Sequence, residues 1–151
     1  MAEKIYTTEA FVVGERASGE GSKVLTLFTR ELGLVYAYAR SVRETRSKLR
    51  YNLSIYSRTL VSLVPGREYW RLVGAQDAEN SSIAPRVCEF VCRFMGEHIP
   101  HGELFNYIKL GGEERELILA VLDHLGYVGV QAETYIEREK LIDRAVYASH
   151  L

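Results

Sequence analysis

Residues 24–50 read VLTLFTRELGLVYAYARSVRETRSKLR, and this stretch predicts a β-hairpin followed by a basic segment. Two runs of β-forming residues flank Glu31-Leu32-Gly33, where a glycine favours a tight turn. Side chains alternate between the faces of a pleated strand, so the second run has two unlike faces. The small apolar face consists of Val35, Ala37 and Ala39. The other face consists of Tyr36, Tyr38 and Arg40. We expect the small residues to line a narrow barrel and the rings and cation to form an outward surface.

Three more runs of β-forming residues complete a predicted barrel of five strands. The predicted strands cover residues 6–13, 23–29, 34–40, 53–64 and 69–75. Pro65-Gly66 turns the chain between the last two, because proline presets φ and glycine tolerates a positive φ. Residues 14–22 are rich in Gly, Ser and charge and predict a loop, without the spacing of a phosphate-binding loop. Five short strands with hairpin-like links favour a closed or nearly closed barrel, because closure removes exposed edges.

The second half of the chain has the periodicity of helices. From Asn80 the apolar spacing changes from two to 3.6 residues, which marks a boundary between sheet and helices. The predicted helices cover residues 85–95, 103–110, 113–125 and 134–148. We therefore expect an α+β protein, with a five-stranded barrel domain over residues 1–79 and a helical domain over residues 80–151.

Composition and charge restrict the class of protein. The 151 residues are 47% hydrophobic and 26% charged, as in globular proteins, and no apolar run approaches the about 18 residues that span a bilayer. The first residues, MAEKIYTTEA, lack the apolar core of a signal peptide, so a cytoplasmic protein is expected. Cys88 and Cys92 lie four residues apart in a helical pattern, which argues against a disulfide framework.

The net charge of −1 conceals an uneven distribution of charge along the chain. Residues 1–76 contain 12 Lys and Arg against 7 Asp and Glu, a net of +5. Residues 77–151 contain 7 against 13, a net of −6. A basic half joined to an acidic half is expected if only the first half faces a polyanion.

Several short sequences resemble the bacterial recombination-mediator family RecO. They are LFTRELG (27–33), AYARSVR (37–43), LSIY (53–56), PHGELF (100–105) and LDHLGY (122–127). The family has F-T-x-E-x-G, A-K-G-A-R and L-Q-P-F at the places of the first three. Arg40 stands where the family has lysine, and Ser41 stands where it has glycine. The similarity covers most of the chain. The order of these pieces is more specific than any single piece.

The resemblance implies an OB-fold for the first half, binding of single- and double-stranded DNA, and annealing of complementary strands. It also implies that the protein acts together with RecR and a single-strand-binding protein to load a recombinase. Family members commonly carry a four-cysteine zinc cluster just after the segment similar to residues 122–127. Val128–Gln131 contains no cysteine, so the chain is expected to be a shortened form without the metal and without another cofactor.

The predicted nucleic-acid-binding residues combine cations with tyrosines. They are Arg40, Arg43, Arg46, Lys48, Arg50, Tyr36, Tyr38, Arg58 and Arg71. Backbone charge together with base stacking is how sequence-tolerant strands are held. If about four cations each neutralise a phosphate, log K should fall against log salt with a slope of about −3 on single strands. Three alternatives stay open: the charge run is only a solvated loop, the tyrosines pack under the helices, or Arg58 and Arg71 form surface ion pairs.

Other conspicuous side chains favour structural roles. Trp70, a lone large aromatic, is expected at a joint between barrel and helices rather than as a base platform. The residues that invite a zinc site lack a compact ligand spacing; they are Cys88, Cys92, His98 and His101. His124, near the apolar stripe of its helix, is expected to be a structural histidine.

A non-enzymatic function is expected, because no catalytic motif such as G-x-S-x-G or H-E-x-x-H is present. Neither a membrane nor a small-molecule substrate is expected as a partner. An alternative function from another class is an adaptor for protein peptides, in which the basic loop reads an acidic tail and the helices supply an apolar groove.

Overall fold

The structure is a computed structural model that describes residues 4–19, 21–40, 53–126, 142–144 and 147, without the side chains of residues 77–80. Five strands form a closed barrel in the spatial order β1-β2-β3-β5-β4. They are β1 Tyr6–Ser18, β2 Ser22–Thr29, β3 Gly33–Ala39, β4 Ser57–Val64 and β5 Trp70–Ser82. Neighbouring strands are antiparallel except for β3 and β5, which are parallel. The predicted five-stranded N-terminal barrel is confirmed, and its strand order is that of an OB-fold.

The barrel interior is filled by small and branched apolar side chains. Val35, Ala37 and Ala39 are completely buried there, as the alternation of β3 predicts. Their neighbours in this core are Ala10, Val12, Leu25, Leu27, Leu53, Val61, Leu63 and Leu72. Small residues on β3 suit the interior of a five-stranded barrel, which is too narrow for large side chains on every strand.

Two strands are longer and one is shorter than the sequence predicts. β1 continues to Ser18 and pairs with β2 up to Ser18↔Ser22, so most of the predicted loop at residues 14–22 is a hairpin. β5 continues to Ser82, seven residues beyond its predicted end, because it stays paired with β4 as far as Ser57. β4 begins only at Ser57, since Tyr56 has a φ of 67°, which interrupts an extended strand.

Three helices follow the barrel: α1 Pro85–Phe94, α2 Gly102–Leu110 and α3 Glu114–His124. The first three predicted helices are thereby confirmed, with ends that differ by at most one residue. The fourth, at residues 134–148, lies mostly outside the described residues, and its described members, 142–144 and 147, are helical. Among the described helices, none has both the length and the apolar character needed to cross a membrane.

A second apolar core joins the helices to the outside of the barrel. Phe105 of α2 contacts Phe11 of β1 and Phe28 of β2, with ring centroids 5.1 and 5.5 Å apart. Val91 of α1 and Ile118 of α3 are completely buried in the same cluster. Each such buried side chain contributes about 1.5–3 kcal/mol, so the helices are held firmly against one side of the barrel.

Candidate nucleic-acid interface

The end of β3 and the start of β5 bring Tyr38, Arg40 and Arg71 to one surface, called the β3–β5 seam below. Tyr38 lies opposite Arg71 in the parallel pairing of these strands. Side chains at paired positions lie on the same face of adjacent strands, which are about 4.8 Å apart. Tyr38 is half-buried, and Arg71 is exposed, as is Arg40 just beyond the end of β3. The seam therefore places the exposed Arg71 beside a partly exposed ring, and the exposed Arg40 follows two residues after that ring in the chain.

The β1–β2 hairpin adds a cation to this end of the barrel. Nη2 of Arg16 donates a hydrogen bond to the hydroxyl of Tyr69 at 2.5 Å, and its guanidinium carbon lies 5.8 Å from the centroid of the Tyr69 ring. Lys23, paired in register with Ala39, forms an ion pair with Glu15 at 3.1 Å. The sequence prediction missed Arg16 and Lys23, because the link from Arg16 to Tyr69 spans 53 residues and leaves no local pattern.

The turn between β4 and β5 holds Tyr69 beside the seam. A Cβ atom on Gly66 would lie 2.0 Å from the carbonyl oxygen of Tyr69, so only glycine fits this turn. The sequence argument attributed Gly66 to a positive φ, and this reason is wrong: Gly66 is not among the glycines with positive φ. Close approach of the backbone, rather than backbone conformation, explains the residue.

Tyr36 lies on the outward face of β3 but nearer to the helices than Tyr38. Partial burial raises the pKa of its phenol, and the carboxylate of Glu97 and the thiol of Cys92 raise it further. Glu97 follows α1 and bridges to Leu34 at the start of β3. Tyr36 therefore lies within electrostatic reach of the Glu97 carboxylate and the Cys92 thiol and is not one of the residues that define the seam.

Arg58 is separated from the seam and is buried. Its side chain is 6% exposed and forms an ion pair with Glu9 at 3.4 Å. Along β4, Val64 pairs with Arg71 and lies six residues from Arg58, a distance of about 20 Å at 3.3 Å per residue. The expectation that Arg58 extends the basic surface disagrees with this position, because sequence alternation cannot reveal a counter-charge 49 residues away.

Four predicted cations lie outside the described residues: Arg43, Arg46, Lys48 and Arg50. They follow Arg40 within ten residues of sequence. Their contribution to the interface stays a prediction.

Trp70 links the barrel to the segment between α1 and α2. It is half-buried, packs against the barrel core, and donates a hydrogen bond from Nε1 to Nε2 of His98 at 3.0 Å. The ring of Tyr6 meets it edge to face, with centroids 5.4 Å apart. These contacts match the expectation of a joint between barrel and helices. The hydrogen bond to His98 also satisfies the polar N–H group of the indole.

The four side chains that invite a zinc site in the sequence do not form one ligand set in the structure; they are Cys88, Cys92, His98 and His101. Burial raises the pKa of the Cys88 thiol to about 12, and desolvation also raises the pKa of Cys92, so both thiols are protonated near neutral pH. Within the part of the chain that the structure describes, no three His, Cys, Asp or Glu side chains form a group that could hold a metal ion.

Comparisons with known proteins agree with this architecture. The family model described as "Recombination protein O N terminal" matches residues 1–79. Proteins named "DNA repair protein RecO" from two strains of Dehalococcoides mccartyi are 29% and 28% identical to the chain over 130 residues. Each alignment covers 80% of this chain and 47% of the relative. The chain thus spans about half the length of the curated relatives it matches.

Proposed function

The chain belongs to the RecO family, and we propose that it is a DNA repair and recombination mediator whose barrel binds DNA at the β3–β5 seam. On this proposal it binds single and double strands, promotes their annealing, and helps to load a recombinase with RecR and a single-strand-binding protein. The observation that carries the proposal is the convergence of Arg40, Arg71 and Tyr38 at one end of the barrel. The domains would divide the work, with residues 1–79 holding DNA and residues 80–151 packing on the barrel or recruiting proteins.

The seam has the chemistry of a sequence-tolerant site. Arg40 and Arg71 would neutralise backbone phosphates, while the ring of Tyr38 would stack on a base, which contributes about 1–3 kcal/mol. Arg16 would add a third cation, because its bond to Tyr69 uses only part of a five-donor guanidinium. The basic segment at residues 41–50 would continue the same path from Arg40.

Annealing needs no bond-making residue. Two complementary strands repel each other through their phosphates, and a protein that neutralises both lowers the barrier to their approach. The expectation of a non-enzymatic function follows from this mechanism, which uses only charge neutralisation and base stacking. A cytoplasmic location, where the chromosome of a bacterium lies, belongs to the same proposal.

Fluorescence anisotropy with a labelled oligonucleotide across a salt series tests the interface. The Arg40→Ala/Arg71→Ala variant should bind more weakly, and its slope of log K against log salt on single strands should be less steep by about 1.4, because two phosphate contacts are lost. Arg86→Ala is the matched control, since this exposed arginine of α1 pairs with Glu114 of α3 at 3.9 Å and is not one of the residues that define the seam. A double variant with the slope of the unaltered protein would refute the seam as the site.

The same assay examines the basic segment and the alternative function. Arg43→Ala/Arg46→Ala/Lys48→Ala should lower the slope by about 2.1 if each cation contacts a phosphate. Absence of binding to any oligonucleotide, together with binding of an acidic peptide, would favour the peptide adaptor over the DNA mediator.

A further inference from the structure

Two histidines join the start of α2 to the end of α3. His101 precedes the first residue of α2, and His124 is the last residue of α3. Nδ1 of His101 lies 2.7 Å from Nε2 of His124, and the rings meet edge to face with centroids 4.8 Å apart. This distance is a short hydrogen bond between two ring nitrogens, so one of them carries a hydrogen and the other a lone pair.

The bond tolerates only some protonation states. Two neutral rings can form it, and one neutral ring with one imidazolium can form it as a charge-assisted bond. Two imidazolium rings cannot, because both facing nitrogens would carry hydrogen and both rings would be positive. Such a pair takes up its protons in two coupled steps rather than independently.

The surroundings oppose the second proton. Nε2 of His101 is buried without a hydrogen-bond partner among the described residues. Burial lowers the pKa of His101, and the neighbouring charge of His124 lowers it further. The carboxylates next to the pair in sequence, Glu103 on α2 and Asp123 on α3, are exposed, and in the described ranges neither forms an ion pair with the rings. The turn after β2 approaches the start of α2 through Arg30, whose guanidinium lies near Glu9 and Glu31.

We propose that the His101–His124 pair is an acid-sensitive latch between α2 and α3. It holds the two helices together while at most one ring is protonated, and it opens when both are. Opening would leave α2 attached to the barrel, since Phe105 packs on Phe11 and Phe28 and Lys109 binds Glu9 at 3.0 Å. Both helices also share the apolar core, so the pair controls only the contact between the start of α2 and the end of α3 and leaves the barrel intact.

The sign of the pH dependence follows from proton uptake. A histidine whose pKa is lowered by folding binds more protons in the unfolded chain below its ordinary pKa of about 6.5. Its contribution to stability is complete above that pH and is lost as the pH falls towards the folded value. For each proton of difference, the unfolding constant rises by up to tenfold per pH unit.

Denaturant unfolding between pH 8 and pH 5, followed by far-ultraviolet circular dichroism, tests the latch. The unfolding constant of the unaltered protein should rise more steeply below pH 6.5 than that of His124→Gln, which cannot accept the second proton. Tyr107→Phe is the control: it changes an exposed side chain of α2 and removes no histidine. The control should keep the pH slope of the unaltered protein, whereas equal slopes for all three proteins would refute the latch.

A second measurement uses the unaltered protein and therefore needs no variant. Nitrogen-15 nuclear magnetic resonance of the imidazoles in the unaltered protein should show a scalar coupling between the two facing nitrogens at pH 8, and this coupling should be lost on acidification. Absence of the coupling at pH 8 would overturn the proposal.

Discussion

At the scale of single residues, the carboxylate of Glu9 lies close to three cations. Its carboxylate lies 3.0 Å from Nζ of Lys109, 3.4 Å from Arg58 and 3.9 Å from Arg30. These cations come from α2, from β4 and from the turn after β2, so one carboxylate ties the helices to the barrel. Arg58 is buried, and a buried guanidinium needs a counter-charge to offset its lost hydration.

We predict that Glu9→Gln lowers the free energy of unfolding by about 1–3 kcal/mol, because the buried Arg58 would lose the negative charge of Glu9. The estimate is below that for a fully buried pair, since Glu9 is 22% exposed and Lys109 is 37% exposed. Glu15→Gln is the control, because the Glu15–Lys23 pair is exposed on the hairpin and should contribute less than about 1 kcal/mol. Urea unfolding measures both, and equal losses would contradict the role of Glu9.

At the scale of elements, the spacing of apolar residues along the chain predicted those strands and helices that depend on burial of one face. The alternation in β3 predicted its two faces, and the 3.6-residue spacing predicted three helices, because burial of one face acts over a single turn or pleat. Residues 14–18 of β1 were predicted as a loop, because they are exposed or half-buried and show no apolar alternation. The extension of β5 depends on pairing with β4, which is a tertiary contact.

The turn between β2 and β3 shows such a contact acting on one glycine. Gly33 has a φ of 73°, and a Cβ atom there would lie 2.2 Å from the carbonyl oxygen of Ile99. We predict that Gly33→Ala lowers the free energy of unfolding by more than about 2 kcal/mol, from the left-handed conformation and the backbone clash together.

Gly19→Ala separates these two effects. Gly19 has a similar φ of 63° but nothing within 4 Å of the added Cβ, so this variant should lose only about 1 kcal/mol. Thermal unfolding of the two variants compares them directly. A Gly33→Ala variant no less stable than Gly19→Ala would show that the approach of Ile99 is unimportant.

At the scale of the whole molecule, the sequence predicted the types of residue at the candidate site, arginine and tyrosine, better than it predicted which of them lie there. Arg40, Tyr38 and Arg71 were named from alternation, but only closure of the barrel through the parallel β3–β5 pair makes them neighbours. Arg58 follows the same alternation yet is neutralised by Glu9, and Arg16 reaches the site through Tyr69. Each difference depends on a contact between residues about 50 positions apart, which a local pattern does not record.

The acidic helical half should act on DNA binding through its long-range field. Glu113 and Glu114 are exposed at the start of α3 and do not belong to the seam. We predict that Glu113→Gln/Glu114→Gln binds oligonucleotides about two- to fivefold more tightly at low salt, because two charges that repel phosphate are removed. The gain should disappear near 0.15 M salt, where the Debye length is about 8 Å.

Arg71→Ala gives the contrasting behaviour of a direct contact. It should weaken binding at every salt concentration and make the single-strand salt slope less steep by about 0.7, because one phosphate contact is lost rather than screened. Circular dichroism must first show that both proteins keep their helices, since carboxylates in the first turn of α3 contribute about 0.3–1 kcal/mol each through the helix dipole. If the gain of the glutamine variant persisted at 0.15 M salt, α3 would lie within contact distance of bound DNA, and the division into a binding half and a repelling half would be wrong.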